Sequence, residues 1–302
     1  MEQGSLSREE IRAVYNFLLG REPESEFVVE DHIQNCPRND FIWVILGSRE
    51  FAERFNSINF KLSPLLASLQ EPNIISVIRR LEHLSSLGLP LAGKSVTDVG
   101  CGVGHLSSFF LDRKCSVNLV DSAEKAIDVA RAYLGANKRY NENASFHVLD
   151  FDAAGIEESI DPRAVTLCYD TLWLSNNIRR FLTNLAEITE ELLVLETRCS
   201  PMESEDLFIS RDLSSTDANG GEGLLINIPT RSWLWSRLKE SFPNVYATKT
   251  QPHHAEFPVD WTSLTGGRRG DAWGRAVFVA SREPLACDAL VDELGVRHER
   301  CG

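Results

Sequence analysis

Residues 96–104 read Val-Thr-Asp-Val-Gly-Cys-Gly-Val-Gly. A short apolar run with β-strand character breaks there into glycines at every second position, and His105 and Leu106 follow. Glycine tolerates positive φ and lets the backbone approach a ligand closely, while the N-terminus of a following helix offers unpaired N–H groups. The stretch therefore predicts a strand, a loop and a helix that together hold a nucleotide-like ligand.

The spacing of these glycines separates the known glycine-rich loops. The dinucleotide fingerprint G-x-G-x-x-G needs glycine where this chain has His105, and a phosphate P-loop needs Lys followed by Ser or Thr. The remaining pattern, D-x-G-C-G-x-G after a strand, resembles motif I of the class I S-adenosylmethionine (SAM) methyltransferases. That resemblance assigns a SAM-contacting loop to the following residues: Asp98, Gly100, Cys101, Gly102 and Gly104. The alternative is an apolar strand that ends in a chance glycine-rich turn.

Further cofactor contacts are expected at the ends of the next strands. Asp121 ends the second predicted strand and Ser122 follows it, at the position where an acidic side chain accepts the ribose hydroxyl protons of a nucleoside. A helix N-cap is the alternative role of Asp121. The resemblance places Asp150 and Phe151 at the adenine and Tyr169 beside the cofactor, whereas Asp150 as a turn residue and Phe151 as ordinary core are the alternatives. Cys101 is interpreted as a small packing residue, not a nucleophile.

Composition restricts the class of protein. The chain has 302 residues, a formal net charge of -13 and seven cysteines, without paired C-x-x-C spacing. The negative charge disfavours nucleic acid as a partner, because such binding depends on Lys and Arg at phosphates. No apolar run has transmembrane length, and the N-terminus lacks an export pattern, so we expect no membrane association and a cytoplasmic protein with reduced thiols.

Periodicity divides the chain into four parts. Residues 1–62 are predicted to be a helical module, opened by a capping box at Ser7 and a helix that runs to about Gly20. The module resembles small bacterial helical modules found beside surface-glycan and exopolysaccharide enzymes. Residues 63–92 are interpreted as a linker and a cap helix from Pro72, residues 93–283 as the methyltransferase domain, and residues 284–302 as a tail with one short helix and a frayed end.

The domain is predicted to be a Rossmann-like α/β fold, a seven-stranded sheet with helices on both faces. Apolar runs of β type alternate there with helical patterns, which predicts a parallel sheet, and the resemblance adds an antiparallel last strand. The predicted strands are 95–100, 116–121, 145–150, 164–169, 191–196, 244–249 and 275–281, and the predicted helices are 105–112, 122–135, 178–189 and 231–241. Residues 198–230 and 250–273 are interpreted as long binding loops or lids.

Four residues are candidates for catalysis. Methyl transfer to an un-ionised hydroxyl needs a base, and His253 and His254 lie in the second long loop, with Asp170 and Glu196 at strand ends as rivals. Each has the alternative of a solvated or structural residue. Asp170 and Glu196 together are too few ligands for a metal site, so none is predicted. Related sugar and small-molecule methyltransferases carry Tyr-His-Leu where this chain has Trp173-Leu174-Ser175, so no role of that histidine is transferred.

The leading hypothesis is therefore a SAM-dependent methyltransferase that O-methylates a sugar, a glycan precursor or a natural product. Its expected partner is a small-molecule or glycan acceptor, and a homo-oligomer is compatible with the sequence. A modifying transferase of the tRNA wobble-uridine type is one alternative, opposed by the charge. A non-catalytic SAM-binding interaction protein is the other.

Overall fold

A computed structural model describes residues 6–36, 41, 44–45, 48, 50, 73–135, 140, 142–216, 222–264 and 272–301. The predicted join between the helical module and the cap helix lies outside the described residues. None of the described helices has the length and apolar character needed to cross a membrane.

One sheet of eight strands organises the fold, in the spatial order β3-β2-β1-β4-β5-β10-β8-β11. Strands β1 to β5 run parallel to one another, whereas β10 runs antiparallel to both of its neighbours, β5 and β8. The strands of this sheet are β1 (Ser95–Val99), β2 (Ser116–Asp121), β3 (Ala144–Val148), β4 (Arg163–Tyr169), β5 (Thr189–Cys199), β8 (Asn244–Thr248), β10 (Gly274–Ser281) and β11 (Leu290–Val291). The order reverses at β1, where open α/β sheets bind ligands at the carboxyl edge.

Helices cover both faces of this sheet, because alternate side chains of the buried strands point to opposite sides and each side is apolar. One face packs against the N-terminal helices and the first helices of the domain, and the other packs against the last two helices. Within the described residues, the α-helices are α1 (Arg8–Val14), α2 (Glu26–Asn35), α3 (Asn73–Ser86), α4 (Ser107–Asp112), α5 (Glu124–Gly135), α6 (Ile178–Glu187) and α7 (Arg231–Ser241).

The predicted fold class is confirmed, and all seven predicted strands are present to within a few residues. The two-residue strand β11 extends the sheet to an eighth member by pairing with β8. The cap helix and the four domain helices lie where periodicity placed them. At the N-terminus the capping box has both its bonds: the Ser7 hydroxyl accepts from the Glu10 N–H at 3.1 Å, and the Ser7 N–H donates to Oε2 of Glu10 at 2.7 Å.

Two sequence interpretations are corrected. Residues 198–230 are not an open loop, because β6 (Leu207–Thr216) and β7 (Glu222–Pro229) pair as an antiparallel hairpin. The Nδ2 of Asn227 donates to the Ser175 carbonyl at 2.5 Å and ties this hairpin to the segment after β4.

The tail is the second correction, because it holds short strands instead of a helix. Beside β11, the strand β12 (Glu299–Arg300) pairs with β9 (Thr250–Gln251). The Nη1 of Arg300 donates to three carbonyls of the loop after β9: Pro252 at 2.5 Å, Phe257 at 2.7 Å and His254 at 3.1 Å. Hydrogen bonding to a polar loop, which hydrophobic periodicity does not report, therefore fixes this segment.

The N-terminal helices pack directly on the domain. The ring of Phe17 lies 4.2 Å from that of His105 and 5.5 Å from that of Tyr133, measured between ring centroids. The Nη1 of Arg79 on α3 donates to Oε1 of Glu10 on α1 at 3.2 Å. His105 directly follows the glycine loop, so the first helices contribute to the packing behind that loop.

Candidate functional site

The glycine loop joins the carboxyl end of β1 to α4. Gly100, Gly102 and Gly104 have φ values of 72°, 54° and 86°, which side chains rarely adopt. A Cβ at Gly100 would lie 1.8 Å from Oγ1 of Thr171, and one at Gly104 would lie 2.8 Å from Cδ1 of Leu134, whereas one at Gly102 would meet nothing within 4 Å. The loop is thus packed at its two ends and has free space at its middle glycine.

Asp98 braces this loop from the protein interior. Its side chain is buried, and its Oδ2 accepts from the hydroxyl of Ser107, the first residue of α4, at 2.5 Å. Burial raises the pKa of this carboxyl to about 7, with a smaller contribution in the same direction from the charge of Asp121. The bond links the strand to the helix across the loop, so Asp98 holds the loop's shape.

Asp121 lies at the end of β2 with its carboxylate against the loop. Its Oδ2 accepts from the Gly102 N–H at 2.9 Å, and its Oδ1 accepts from the Ala123 N–H at 2.8 Å. The second bond is a turn-forming contact at the start of α5, so the capping role and a ligand-binding role coexist in one side chain. Ser122, between the two, is exposed at the same edge.

The residues predicted at the adenine differ in exposure. Asp150 is exposed, and its Oδ1 accepts from the Asp152 N–H at 2.9 Å, as in a turn. Phe151 is buried and packs on Phe181 of α6, with 5.7 Å between ring centroids. The ring of Phe151 is therefore part of the apolar core, and only its backbone and the Asp150 carboxylate remain to meet an adenine.

Two buried side chains, those of Cys101 and Tyr169, lie at the carboxyl edge of the sheet. The Cys101 thiol is buried, and burial raises its pKa well above the usual value, which disfavours the nucleophilic thiolate. Tyr169, the last residue of β4, is only 4% exposed, and within the described ranges its hydroxyl has no hydrogen-bond partner. A buried hydroxyl of this kind is satisfied when a polar ligand group binds beside it.

A buried ion-pair network occupies the carboxyl ends of β4 and β5. The Nε of Arg80 donates to Oε2 of Glu196 at 2.7 Å, and the Nη1 of Arg275 donates to Oε1 of Glu196 at 2.9 Å. Asp170 accepts from Arg275, from the Nη2 of Arg80 at 3.1 Å and from the Nε1 of Trp173 at 2.8 Å. The two arginines lower the pKa of Asp170 against the opposing effect of its burial.

This network weighs against two of the candidate bases. Glu196 is fully buried with both oxygens bound to arginine, and Asp170 is held at a φ of 60° by its partners. Both Glu196 oxygens are therefore already occupied, and Asp170, whose pKa is lowered by two guanidinium groups, is a weak proton acceptor. The same pairing leaves neither acid free as a metal ligand, and within the described ranges no three His, Cys, Asp or Glu side chains group as a metal site.

The two histidines differ in their surroundings. His253 is exposed, whereas His254 is half-buried and its Nδ1 accepts from the Glu256 N–H at 3.3 Å. In the neutral ring that bond places the hydrogen on Nε2. Burial lowers the pKa of His254 below its usual value, opposed by the charge of Glu256 and supported by that of Arg80. Among the four candidate bases, His254 lies beside this network, and within the described residues no arginine donates a hydrogen bond to its side chain.

Sequence reasoning missed the cations of this site. Arg80 lies in the apolar stripe of α3, and Arg275 lies in β10, whose residues are all buried. A charged residue inside an otherwise apolar buried strand requires a partner, and this was the available signal. Which acids they meet was hidden, because the bonds of Arg80 and Arg275 to Glu196 span 116 and 79 residues of sequence.

Comparison with known families finds a match for the central part of the chain. Residues 96–191 match the family model described as a methyltransferase domain. The matched segment contains the glycine loop, Asp121, Asp150 and Asp170. It ends before Glu196 and leaves out both arginines of the network.

Two curated proteins are similar over part of the chain, and both are named ubiquinone biosynthesis O-methyltransferase. The protein of Thiobacillus denitrificans (strain ATCC 25259 / T1) is 33% identical over 116 residues, which are 33% of this chain and 49% of that protein. The protein of Azoarcus sp. (strain BH72) is 38% identical over 79 residues, which are 24% of this chain and 34% of that protein. The match therefore spans half or less of each relative.

Solved structures resemble this chain at low sequence identity and with TM-scores below 0.5. Magnesium protoporphyrin IX methyltransferase from Synechocystis PCC 6803 with bound SAM is 16% identical, with a TM-score of 0.45 over 85% of this chain and 97% of that one. The glycopeptide N-methyltransferase MtfA complexed with SAM is 14% identical, with a TM-score of 0.46 over 68% of this chain and 93% of that one. At these values they bear neither on the acceptor nor on the mechanism.

Proposed function

We propose that this chain, whose residues 96–191 form a class I SAM-dependent methyltransferase domain, transfers the methyl group of SAM to an oxygen of a small molecule or glycan. One observation carries the proposal. The glycine loop is open at Gly102 and bordered by the Asp121 carboxylate, at the carboxyl edge where the strand order reverses.

The residues present fit SAM as the cofactor. Asp121 keeps acceptor capacity beyond its two backbone bonds, because a carboxylate has about four lone-pair sites, so it binds the ribose hydroxyls while it braces the loop. Asp150, exposed at the next strand end, accepts from the adenine amine, and the buried Tyr169 hydroxyl donates to a polar group beside β4. Bound SAM supplies an electrophilic methyl group on a sulfonium.

The chain's own contribution to catalysis is position. A reacting oxygen about 3 Å from the methyl group, with water excluded, gains most of the available acceleration. The network of Arg80, Arg275, Asp170 and Glu196 fixes the carboxyl ends of β4 and β5, which form the floor for the acceptor. His254, beside that floor, is our candidate to take the proton of an un-ionised hydroxyl, provided that its Nδ1 leaves the long bond to Glu256.

The reaction is inferred to be O-methylation, whereas the acceptor is inferred only as a broad chemical class. O-methylation is favoured by the two curated relatives, which are O-methyltransferases. A sugar, a glycan precursor or a natural product is favoured by the acidic net charge of -13 and by the resemblance of the N-terminal module. No disulfide joins the seven cysteines, all of which lie within the described residues, and this favours a reducing cytoplasmic environment.

Ligand binding tests this function before any acceptor is known. We expect SAM and S-adenosylhomocysteine (SAH) to raise the melting temperature and to bind in calorimetry, since a ligand that binds only the native state stabilises it. NAD and ATP should do neither. Binding of NAD or ATP without binding of SAM would refute the proposal, and formation of SAH with a candidate acceptor would extend it to catalysis.

A further inference from the structure

Arg198 near the end of β5 is a cation packed between aromatic rings. Its guanidinium carbon lies 3.6 Å from the ring centroid of Trp173 and 4.3 Å from that of Trp273. Arginine has five N–H donors, and within the described part of the chain none of those of Arg198 donates to a protein acceptor, the buried Nε included. Arg198 as a whole is partly exposed, and because its Nε is buried, a ligand would reach it through Nη1 and Nη2.

The acids nearest to Arg198 are already engaged. Asp170 and Glu196 each accept from both Arg80 and Arg275, and the Nε of Arg275 donates to Oε2 of Glu256 at 2.8 Å. Burial and the charge of Arg275 lower the pKa of Arg198, opposed by these acids at longer range. A bound anion would therefore stabilise the guanidinium charge of Arg198, which is only partly solvated.

The position of Arg198 connects it with the cofactor loop. The Oγ1 of Thr171, which lies 3.1 Å from the Tyr169 carbonyl oxygen, is also 3.4 Å from the Gly100 carbonyl oxygen, and Trp173 lies two residues further along the chain. Trp173 in turn packs on Arg198. The guanidinium thus lies on the same edge of the sheet as the glycine loop, one side chain away from the segment that touches it.

We propose that Arg198 binds an anionic group of the methyl acceptor, a carboxylate or a phosphate, and so selects hydroxylated anions over neutral alcohols. This inference rests on the proposed methyltransferase function. The planar fork of arginine matches two oxygens of a carboxylate or phosphate, and the indoles orient that fork and exclude water from one or more of its sides. A purely structural arginine held by aromatic packing is the competing account.

The experiment measures binding, not turnover, on the full chain saturated with SAH. Tryptophan fluorescence, with calorimetry as the second method, gives the dissociation constants of three hexoses that differ at one carbon: D-glucuronate, D-glucose 6-phosphate and D-glucose. 3,4-Dihydroxybenzoate and 3,4-dihydroxybenzamide form a second pair on an aromatic frame. We expect at least one anion to bind about tenfold or more tightly than its neutral partner, and its identity separates carboxylate from phosphate.

Variants connect this preference with the guanidinium. Arg198→Gln should abolish the preference, and Arg198→Lys should keep only part of it, because lysine retains the charge without the fork. Arg179→Gln is the matched control, since Arg179 also packs on an indole, 5.3 Å from the centroid of Trp233, but is exposed on α6. This control should leave every dissociation constant unchanged.

Affinity for SAH separates the possible failures. If wild type binds SAH but no anion binds more tightly than its neutral partner, or if Arg198→Gln keeps the preference, the inference is overturned and the methyltransferase proposal stands. If wild type does not bind SAH, the proposed function itself fails. Unchanged SAH affinity in both Arg198 variants excludes general misfolding as the cause of a lost preference.

Discussion

The Nη1 of Arg275 donates to Oε1 of Glu196 at 2.9 Å, and the two side chains are only 4% and 0% exposed. Glu196 also accepts from Arg80, so two strands and one helix meet at a single carboxylate. Burying these charges costs free energy, and their ion pairs and hydrogen bonds offset that cost only while every partner is present. The arrangement makes the carboxyl edge of the sheet rigid and sensitive to the loss of any one member.

Replacing Glu196 tests that sensitivity. We expect Glu196→Gln to lower the free energy of unfolding by about 3 kcal/mol or more, because it removes the fully buried carboxylate that Arg80 and Arg275 share and leaves them only the less buried acids Asp170 and Glu256. Urea unfolding measures the loss. Asp128→Asn is the control, since Asp128 pairs with Arg131 at 3.0 Å on the exposed surface of α5 and should cost about 1 kcal/mol or less. Equal losses in the two variants would contradict the analysis.

Gly100 and Gly102 separate packing from ligand binding. Gly100→Ala places a Cβ against Thr171 at a positive φ, so we expect it to destabilise the fold by more than the ~1–2 kcal/mol of the backbone strain alone. Gly102→Ala meets only that strain, yet its Cβ enters the open space, and we expect SAH affinity to fall about tenfold or more. Normal SAH binding by Gly102→Ala would show that the ligand lies elsewhere.

Asp121 should contribute directly to cofactor affinity. Asp121→Ala removes the acceptors for the ribose hydroxyls, and we expect SAH binding to weaken by roughly 1.5–3 kcal/mol, the usual range for hydrogen bonds to charged groups. Calorimetry provides the measurement. Glu124→Ala, three residues further on and exposed in the first turn of α5, is the control for the local loss of an acid. If the two variants bind SAH equally well, Asp121 is only a cap.

The raised pKa of Asp98 predicts that the free energy of unfolding depends on pH. Its pKa is about 7 in the folded chain and about 4 in an unfolded one, so the native state binds the extra proton between these values. The stabilisation is complete below pH 4 and is lost as the pH rises through 7. The stability of wild type relative to Asp98→Asn should therefore fall with pH, with a slope approaching about 1.4 kcal/mol per pH unit. Chemical unfolding at pH 4.5, 6 and 7.5 measures it, and a constant difference would refute the assignment.

His254 and His253 form a natural pair for testing the base. If His254 deprotonates the acceptor, His254→Ala should lower turnover about a hundredfold or more with unchanged SAH affinity, whereas His253→Ala should retain activity. Because the pKa of His254 lies below its ordinary value of 6.5, the acidic limb of the wild-type rate profile should also lie below pH 6.5. An unchanged profile in His254→Ala would mean that the acceptor needs no base from this residue.

Local patterns were sufficient for the parallel part of the fold. The strand, glycines and helix around Gly102 follow from residue types within ten positions of one another. The β6–β7 hairpin also has a local sequence signal, since Asn219-Gly220 is a favoured hairpin dipeptide between two strand-like runs. The short strands of the tail carried none, because two residues are too few to establish a period.

The residues of the candidate site also differ in how far local sequence patterns reveal them. The positions of Asp98 and Asp121 beside the glycine loop are predictable, because the motif fixes their distance from the glycines, whereas their contacts with a cofactor stay a prediction. Those of Arg80, Arg275 and Arg198 are not predictable, since their roles depend on contacts between elements that are distant in sequence. The charge state of Asp170 was equally hidden, because it depends on which cations surround the carboxylate in three dimensions.

Asp170 lies inside the matched segment 96–191, whereas Arg80 precedes that segment and Arg275 follows it. The neutralising cations of this carboxylate are therefore supplied by both flanks of the domain. An exchange of residues 96–191 between relatives would transplant the acid without its counter-charges. A graft that keeps these ion pairs intact therefore carries α3 and β10 together with residues 96–191, which makes the unit to be exchanged larger than the matched segment.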